Sequence, residues 1–299
     1  MTTTMDREAV PDLSNPIGFD GIEFIEFATS KPQALGGTLE TMGFRPVARH
    51  RSREVELYRQ GSMNVIVNAQ PADVPRTAQP VEKPVISAFA VRVRDADYAF
   101  RRALDLGGWE IPVRARAMEL NIPAIHGVGE SLIYFVDRYD EFSIYDVDFR
   151  PIPTVDPDPP AIGNMHFFGL VQYIDLDRTA DWIEFYSRIF GFTLLPDRVR
   201  FGIMPKGVLL ESPNGHFFLQ LIEPDSAAAE VLWEEHLQRI GLGTPDVMAT
   251  VAQLEKRGIE FIASEHVRSS KRGALTKPYL GSVMFELVHS ESHGSAEQV

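Results

Sequence analysis

Ile22-Glu23-Phe24-Ile25-Glu26-Phe27, then Ser30-Lys31-Pro32, then Leu35, Leu39 and Met42 ahead of Gly43-Phe44: the reading of this run decides the fold. The first six residues alternate like a strand. Ser30-Lys31-Pro32 supplies a cap and a proline at a helix start. Leu35, Leu39 and Met42 keep helical spacing as far as the glycine. Two further strands follow, Val55–Gln60 and Met63–Asn68, around Gly61-Ser62, a short-loop hairpin signal. The unit is therefore strand, helix, then strands.

The same phrase occurs three more times. The second unit runs from Ile86 to Val93 through Asp95 and a helix closed by Gly107-Gly108, with a return strand over 131–136. The third starts at Met165-His166-Phe167-Phe168-Gly169, has a helix through Trp182-Ile183-Glu184-Phe185-Tyr186 to Gly191-Phe192, and ends in a strand reaching Ile222. The fourth opens with Leu237-Gln238-Arg239-Ile240-Gly241-Leu242, turns at Thr244-Pro245-Asp246 and has a helix ending at Arg257-Gly258. Five prolines within residues 151–160 mark an extended connector between the second and third units. The expected fold is α+β, in two similar halves of two βαβββ modules each. The expected divisions are a polar arm at 1–17, an N-terminal domain at 18–150, a Pro-rich linker at 151–163, a C-terminal domain carrying the site at 164–290, and a polar tail at 291–299.

Composition narrows the function. A chain of 299 residues, 44% hydrophobic, builds one large or two medium cores. Its formal charge of -13 repels nucleic-acid phosphates and anionic lipid, so neither nucleic acid nor membrane is expected as a partner. The absence of an apolar leader or of a long apolar run predicts a cytoplasmic protein. With no cysteine, thiolate nucleophiles and thiolate-bound metals are excluded, and any metal site must draw on His, Asp or Glu and suit iron, manganese or zinc. No Ser/His/Asp order or phosphate-binding glycine motif supports a hydrolase or a nucleotide binder.

The stretch Leu275-Thr276-Lys277-Pro278-Tyr279-Leu280-Gly281-Ser282-Val283-Met284-Phe285-Glu286-Leu287-Val288-His289 ends in a strand with apolar residues on both sides of Glu286. Either that strand alternates and Glu286 meets solvent, or the carboxylate is buried. A buried carboxylate requires a metal, a cation, a proton or hydrogen bonds.

The arrangement resembles the vicinal oxygen chelate superfamily and, within it, the 4-hydroxyphenylpyruvate dioxygenases. The resemblance covers nearly all of residues 18–290. In the N-terminal half it is carried by Gly21-Ile22-Glu23-Phe24-Ile25-Glu26-Phe27, Met42-Gly43-Phe44, Val47-Ala48-Arg49-His50-Arg51-Ser52, Leu57-Tyr58-Arg59-Gln60-Gly61, residues 118–125 and residues 131–138. In the C-terminal half it is carried by residues 180–186, Ser212-Pro213-Asn214-Gly215 and Phe285-Glu286-Leu287-Val288. It implies that each pair of modules forms a curved, open, barrel-like sheet. It also implies Fe(II) held by two His and one Glu, leaving open positions for a 2-oxo acid and O2.

Carried onto this chain, the implied carboxylate position is Glu286, while the two His positions fall at Gly169 and Arg239. Histidines lie three positions away from each ligand position: His166, His236 and His289. They form either a relocated site for Fe(II) or another divalent metal with Glu286, or exposed and capping residues at strand ends. An odd step along a strand changes face unless a bulge intervenes. Arg239 has its own alternatives: a structural pair with Glu286, a pair that also holds an anionic ligand, or a solvent-facing side chain. Gln220 closes the third module as either an orienting hydrogen-bonder or an ordinary strand residue. His50, His126, His216, His266 and His293 read as surface or loop residues.

Three functional readings remain at this level. One is an Fe(II)-dependent, dioxygenase-like enzyme for an aromatic 2-oxo acid or a related small aromatic acid. Another is a metal-free protein that binds or transforms a small carboxylate, without oxidation, through Arg239, Gln220 and Glu286. The third is a silent scaffold or partner subunit, with a homo-oligomer left open.

Overall fold

The computed structural model describes residues 14–69, 83–112, 119–140, 142–203, 207–224, 234–264 and 267–291. Residues 1–13 of the arm, 292–299 of the tail, His266 and His293 lie outside them.

The first module is β1 (Gly21–Ala28), α1 (Pro32–Thr41), β2 (Arg45–His50), β3 (Val55–Gln60) and β4 (Met63–Asn68). Helix α1 buries Leu35, Leu39 and the following Met42, as the spacing requires. Its N-cap is Lys31 and not Ser30, because Thr29 Oγ1 accepts the Lys31 amide and shifts the start by one residue. The β3–β4 hairpin pairs Gln60 with Met63, and Gly61 supplies the positive φ of 55° that a two-residue loop demands.

The second module is β5 (Val85–Arg92), α2 (Ala96–Asp105), β6 (Ala124–His126) and β7 (Leu132–Val136), followed by α3 (Ile144–Asp148) and β8 (Phe149–Pro151). The third is β9 (His166–Tyr173), α4 (Thr179–Phe190), β10 (Thr193–Leu194), β11 (Val208–Glu211) and β12 (Phe218–Ile222). The fourth is β13 (His236–Thr244), α5 (Val247–Lys256), β14 (Gly273–Leu275) and β15 (Phe285–His289). In the second and fourth modules the strand expected directly after the helix shrinks to one bridge, Glu110 to Ile125 and Phe261 to Thr276. Asp95 and Asp246 cap α2 and α5 by accepting the Tyr98 and Ala249 amides.

All strands join one curved, non-closed sheet in a mixed α+β fold. In the C-terminal half the order is β10-β11-β12-β9-β13-β15-β14, and β13 meets β5 of the N-terminal half through the single pair Leu237 and Ile86. One face carries α1, α2, α4 and α5 over a continuous apolar core that includes Leu35, Leu39, Ala99, Ile189, Phe190, Val251 and Leu254.

The opposite face, on which α3 lies, differs between the halves. In the N-terminal half it is filled by a second apolar cluster, with Phe24, Leu57, Ile66, Ala90, Val136, Ile144, Tyr145 and Phe149 at its centre. In the C-terminal half the corresponding face presents Gln220, Arg239 and Glu286. The Pro-rich segment runs along the edge of the first module, where Gly61 N donates to Pro159 O at 2.7 Å and Ile162 N donates to Gln60 Oε1 at 2.8 Å. Among the described residues no helix is long and apolar enough to cross a membrane.

Candidate functional site

Two bulges decide what the C-terminal cup contains. Along β13, Leu237 pairs with Gln172 and Arg239 with Val171, so Gln238 is an extra residue. Leu237 and Ile240, an odd number of positions apart, both enter the helix-side core, and Arg239 turns the opposite way. On β9 the second shift leaves Phe168 as the extra residue between Gly169, paired with Gly241, and Phe167, paired with Leu242.

Arg239 and Glu286 meet inside this cup. Arg239 is 2% exposed and Glu286 5%, and Arg239 Nε donates to Glu286 Oε2 at 2.9 Å. Glu286 Oε1 accepts the Ile203 amide at 3.3 Å, so both carboxylate oxygens are engaged. The guanidinium is not fully satisfied. Its Nη2 is buried without a hydrogen-bond acceptor, a situation that costs about 1–3 kcal/mol for a buried donor and more for a charged one.

Gln220 stands in the same row across the sheet, paired with Val171, which is in turn paired with Arg239. Amide and guanidinium thus share a face two strands apart, about 10 Å at the usual strand spacing. Beside this row three rings close together. Phe168 and Phe218 stack at 4.8 Å, and Phe201 lies 5.1 Å from the first and 4.6 Å from the second. None of the three belongs to either apolar core.

The iron triad implied by the resemblance does not fit these residues. Position 169 has no room for an imidazole, since even a β-carbon there would stand 2.5 Å from the Phe218 carbonyl oxygen. Position 239 holds a cation that already occupies the carboxylate. The displaced histidines do not form a substitute centre. The β9 bulge does return His166 to the cup side, over Gly243, with Nε2 and Ser290 Oγ 3.1 Å apart. His289 lies near this end of the sheet, but it is exposed and faces away from Glu286 by strand alternation. His236 is at the opposite end, edge-on to Tyr173 at 5.2 Å, because β9 and β13 are antiparallel. Among the described residues no three His, Asp or Glu side chains group as a metal centre would require.

Sequence reading passed over Phe168, Phe201 and Ile203. The first two are apolar residues in apolar surroundings, and the third acts through its backbone, so no residue-type signal marks any of them. The N-terminal motifs of the resemblance serve packing. Arg53 and Ser52 grip Glu119, and Asp148 accepts the Leu120 amide, fixing the 119–121 loop against β2.

The comparisons with known proteins agree with this architecture. Residues 174–277 match the Glyoxalase/Bleomycin resistance protein/Dioxygenase superfamily, and residues 13–150 match the N-terminal region of hydroxyphenylpyruvate dioxygenase. A 4-hydroxyphenylpyruvate dioxygenase from Pseudomonas sp. (strain P.J. 874) is 34% identical over 266 residues, 84% of this chain and 73% of that protein. Hemolysin VllY from Vibrio vulnificus is 34% identical over 84% of this chain and 74% of its own length. Among solved structures, a mutant of 4-hydroxymandelate synthase from Streptomyces coelicolor shares the fold, with a TM-score of 0.69, 16% identity, and coverage of 92% of this chain and 94% of that one. The chain belongs to the 4-hydroxyphenylpyruvate dioxygenase family.

Proposed function

We propose that this chain is a metal-independent member of its family that holds a small aromatic acid, of the 2-oxo acid type or a close relative, in the C-terminal cup. The observation that carries the reading is the unpartnered Nη2 of buried Arg239. A guanidinium supplies fixed positive charge and directional donors, and it suits a carboxylate or an adjacent carbonyl oxygen. Glu286 is the positioning residue: it holds Nε and leaves Nη2 for the ligand. Gln220 offers a second polar contact on the same face, and Phe168 and Phe218 offer an apolar flank for a ring. Relatives named for 4-hydroxyphenylpyruvate and 4-hydroxymandelate support the aromatic acid class.

The chemistry open to such a site is binding and orientation of the acid, with polarisation of its carbonyl by the guanidinium, and it is non-oxidative. The test is thermal unfolding with phenylpyruvate in the presence of a chelator. The expected result is a rise in Tm for the wild type and none for Arg239→Met. Saturation at 100 times Kd corresponds to about 2.7 kcal/mol of added stability. A rise that needs added Fe(II) overturns the metal-independent reading.

A further inference from the structure

We propose that the strap Phe201-Gly202-Ile203 is a built-in occupant of the C-terminal cup, and that an aromatic ligand must displace it to reach Arg239. This rests on the reading of the cup as an aromatic-acid site. Four observations point to it.

The strap lies directly on the charge pair. A β-carbon on Gly202 would stand 2.0 Å from Glu286 Oε1, and the Ile203 amide donates to that same oxygen at 3.3 Å. The strap's ring also sits where a ligand ring would sit. Phe201 lies against Phe168 and Phe218, the immediate neighbour and the cross-strand partner of side-chain-free Gly169.

The strap lies outside the regular elements and the apolar cores. No strand or helix runs from 195 to 203, Phe201 belongs to neither apolar core, and the neighbouring tie from Arg272 Nη2 to Arg200 O is 3.3 Å long. Finally, the strap covers the pair without completing it. With Phe201 seated, Arg239 Nη2 still has no acceptor. The strap thus supplies the apolar half of what the cup recognises and omits the polar half. An aromatic acid supplies both, a ring for Phe168 and Phe218 and an oxygen for Nη2. The two occupants compete for the ring position, and only the ligand satisfies the guanidinium. In this arrangement Phe201 sets a threshold: a ring without an acid group gains nothing over the strap, and an acid without a ring leaves Phe168 and Phe218 uncovered.

The test measures phenylpyruvate binding by calorimetry with wild type, Phe201→Ala and Arg239→Met, and backbone hydrogen exchange over residues 196–209 with and without the ligand. The full chain is used throughout. Removing the competing ring is expected to tighten binding of the wild-type site roughly threefold to tenfold, the range set by one aromatic contact. Saturating ligand is expected to speed exchange of the strap amides. Binding that is lost in Arg239→Met but unchanged or weaker in Phe201→Ala, or strap amides that exchange more slowly with ligand, would overturn the strap and leave the site standing. Absence of binding in both wild type and Phe201→Ala would overturn the site together with the strap.

Discussion

Arg239 reaches Glu286 on the diagonal. Glu286 is level with Gly241 on the adjacent strand, two positions beyond Arg239, yet Arg239 Nε and Glu286 Oε2 are 2.9 Å apart. The Arg239 side chain therefore reaches two positions along its own strand, to the level of Gly241.

The pair is expected to behave as a coupled unit. Arg239→Met or Glu286→Leu alone strands a buried charge and should cost about 3–5 kcal/mol. The double substitution should cost much less, since no charge then remains. Denaturant unfolding of the four proteins in a double-mutant cycle measures this, and additive effects would show that the residues do not interact.

Loading with Fe(II) followed by metal analysis should give far less than one iron per chain. The outcome should not improve in Gly169→His, because the added side chain meets the Phe218 carbonyl before it reaches the cup. Near-unit iron that disappears in Glu286→Ala would contradict the assignment of Arg239 as the resident cation.

Gly202→Ala should be destabilising. The residue has a φ of 60°, where a β-carbon costs about 1–2 kcal/mol, and here it also collides with Glu286 Oε1. The Tm should fall by several degrees. A neutral result would mean that the strap moves aside at no cost.

Glu23 gives a pH dependence from the N-terminal half. Burial raises its pKa above 4.5, outweighing the Arg92 guanidinium, whose Nε stands 2.6 Å from Glu23 Oε2. With the folded pKa above the unfolded one, the favourable contribution is fully present below 4.5 and is lost as the pH rises through the folded value. The stability advantage of wild type over Glu23→Gln should therefore be largest near pH 4 and shrink on going towards neutral pH. A constant difference in Tm across that range would refute the assignment.

The sequence showed the parts of this fold that depend on local chemistry. Asp95 and Asp246 announced their helices because a cap needs a short acceptor, and Gly61-Ser62 announced a hairpin because the loop needs positive φ. The site was only half legible. The carboxylate at 286 stood out as a charge within an apolar strand, and the arginine at 239 through the position it takes in the resemblance. Their meeting depends on extra residues in β13 and β9, and a bulge is a matter of strand pairing that no single residue type signals. The same limit applied to the histidines. The β9 bulge returns His166 to the cup side, but strand direction places His236 at the far end of the sheet. Phe201 was invisible for another reason: its role arises from what covers Glu286 and not from its own chemistry.

The proline-rich segment limits how this molecule can move. It is riveted at Pro159 and Ile162 to the turn of the first hairpin, at Asp158 to Arg59, and at Gly163 to Thr244 on the strand that bears Arg239. A passage fastened in this way works as a splint and not as a hinge: three ties hold it to the first hairpin, and clamshell opening of the two halves would have to break its tie to Thr244. Access to the guanidinium then falls to the smallest mechanical part available, a few residues lifting locally while the frame stays rigid. Lengthening the splint by one residue should loosen that frame long before it affects either core.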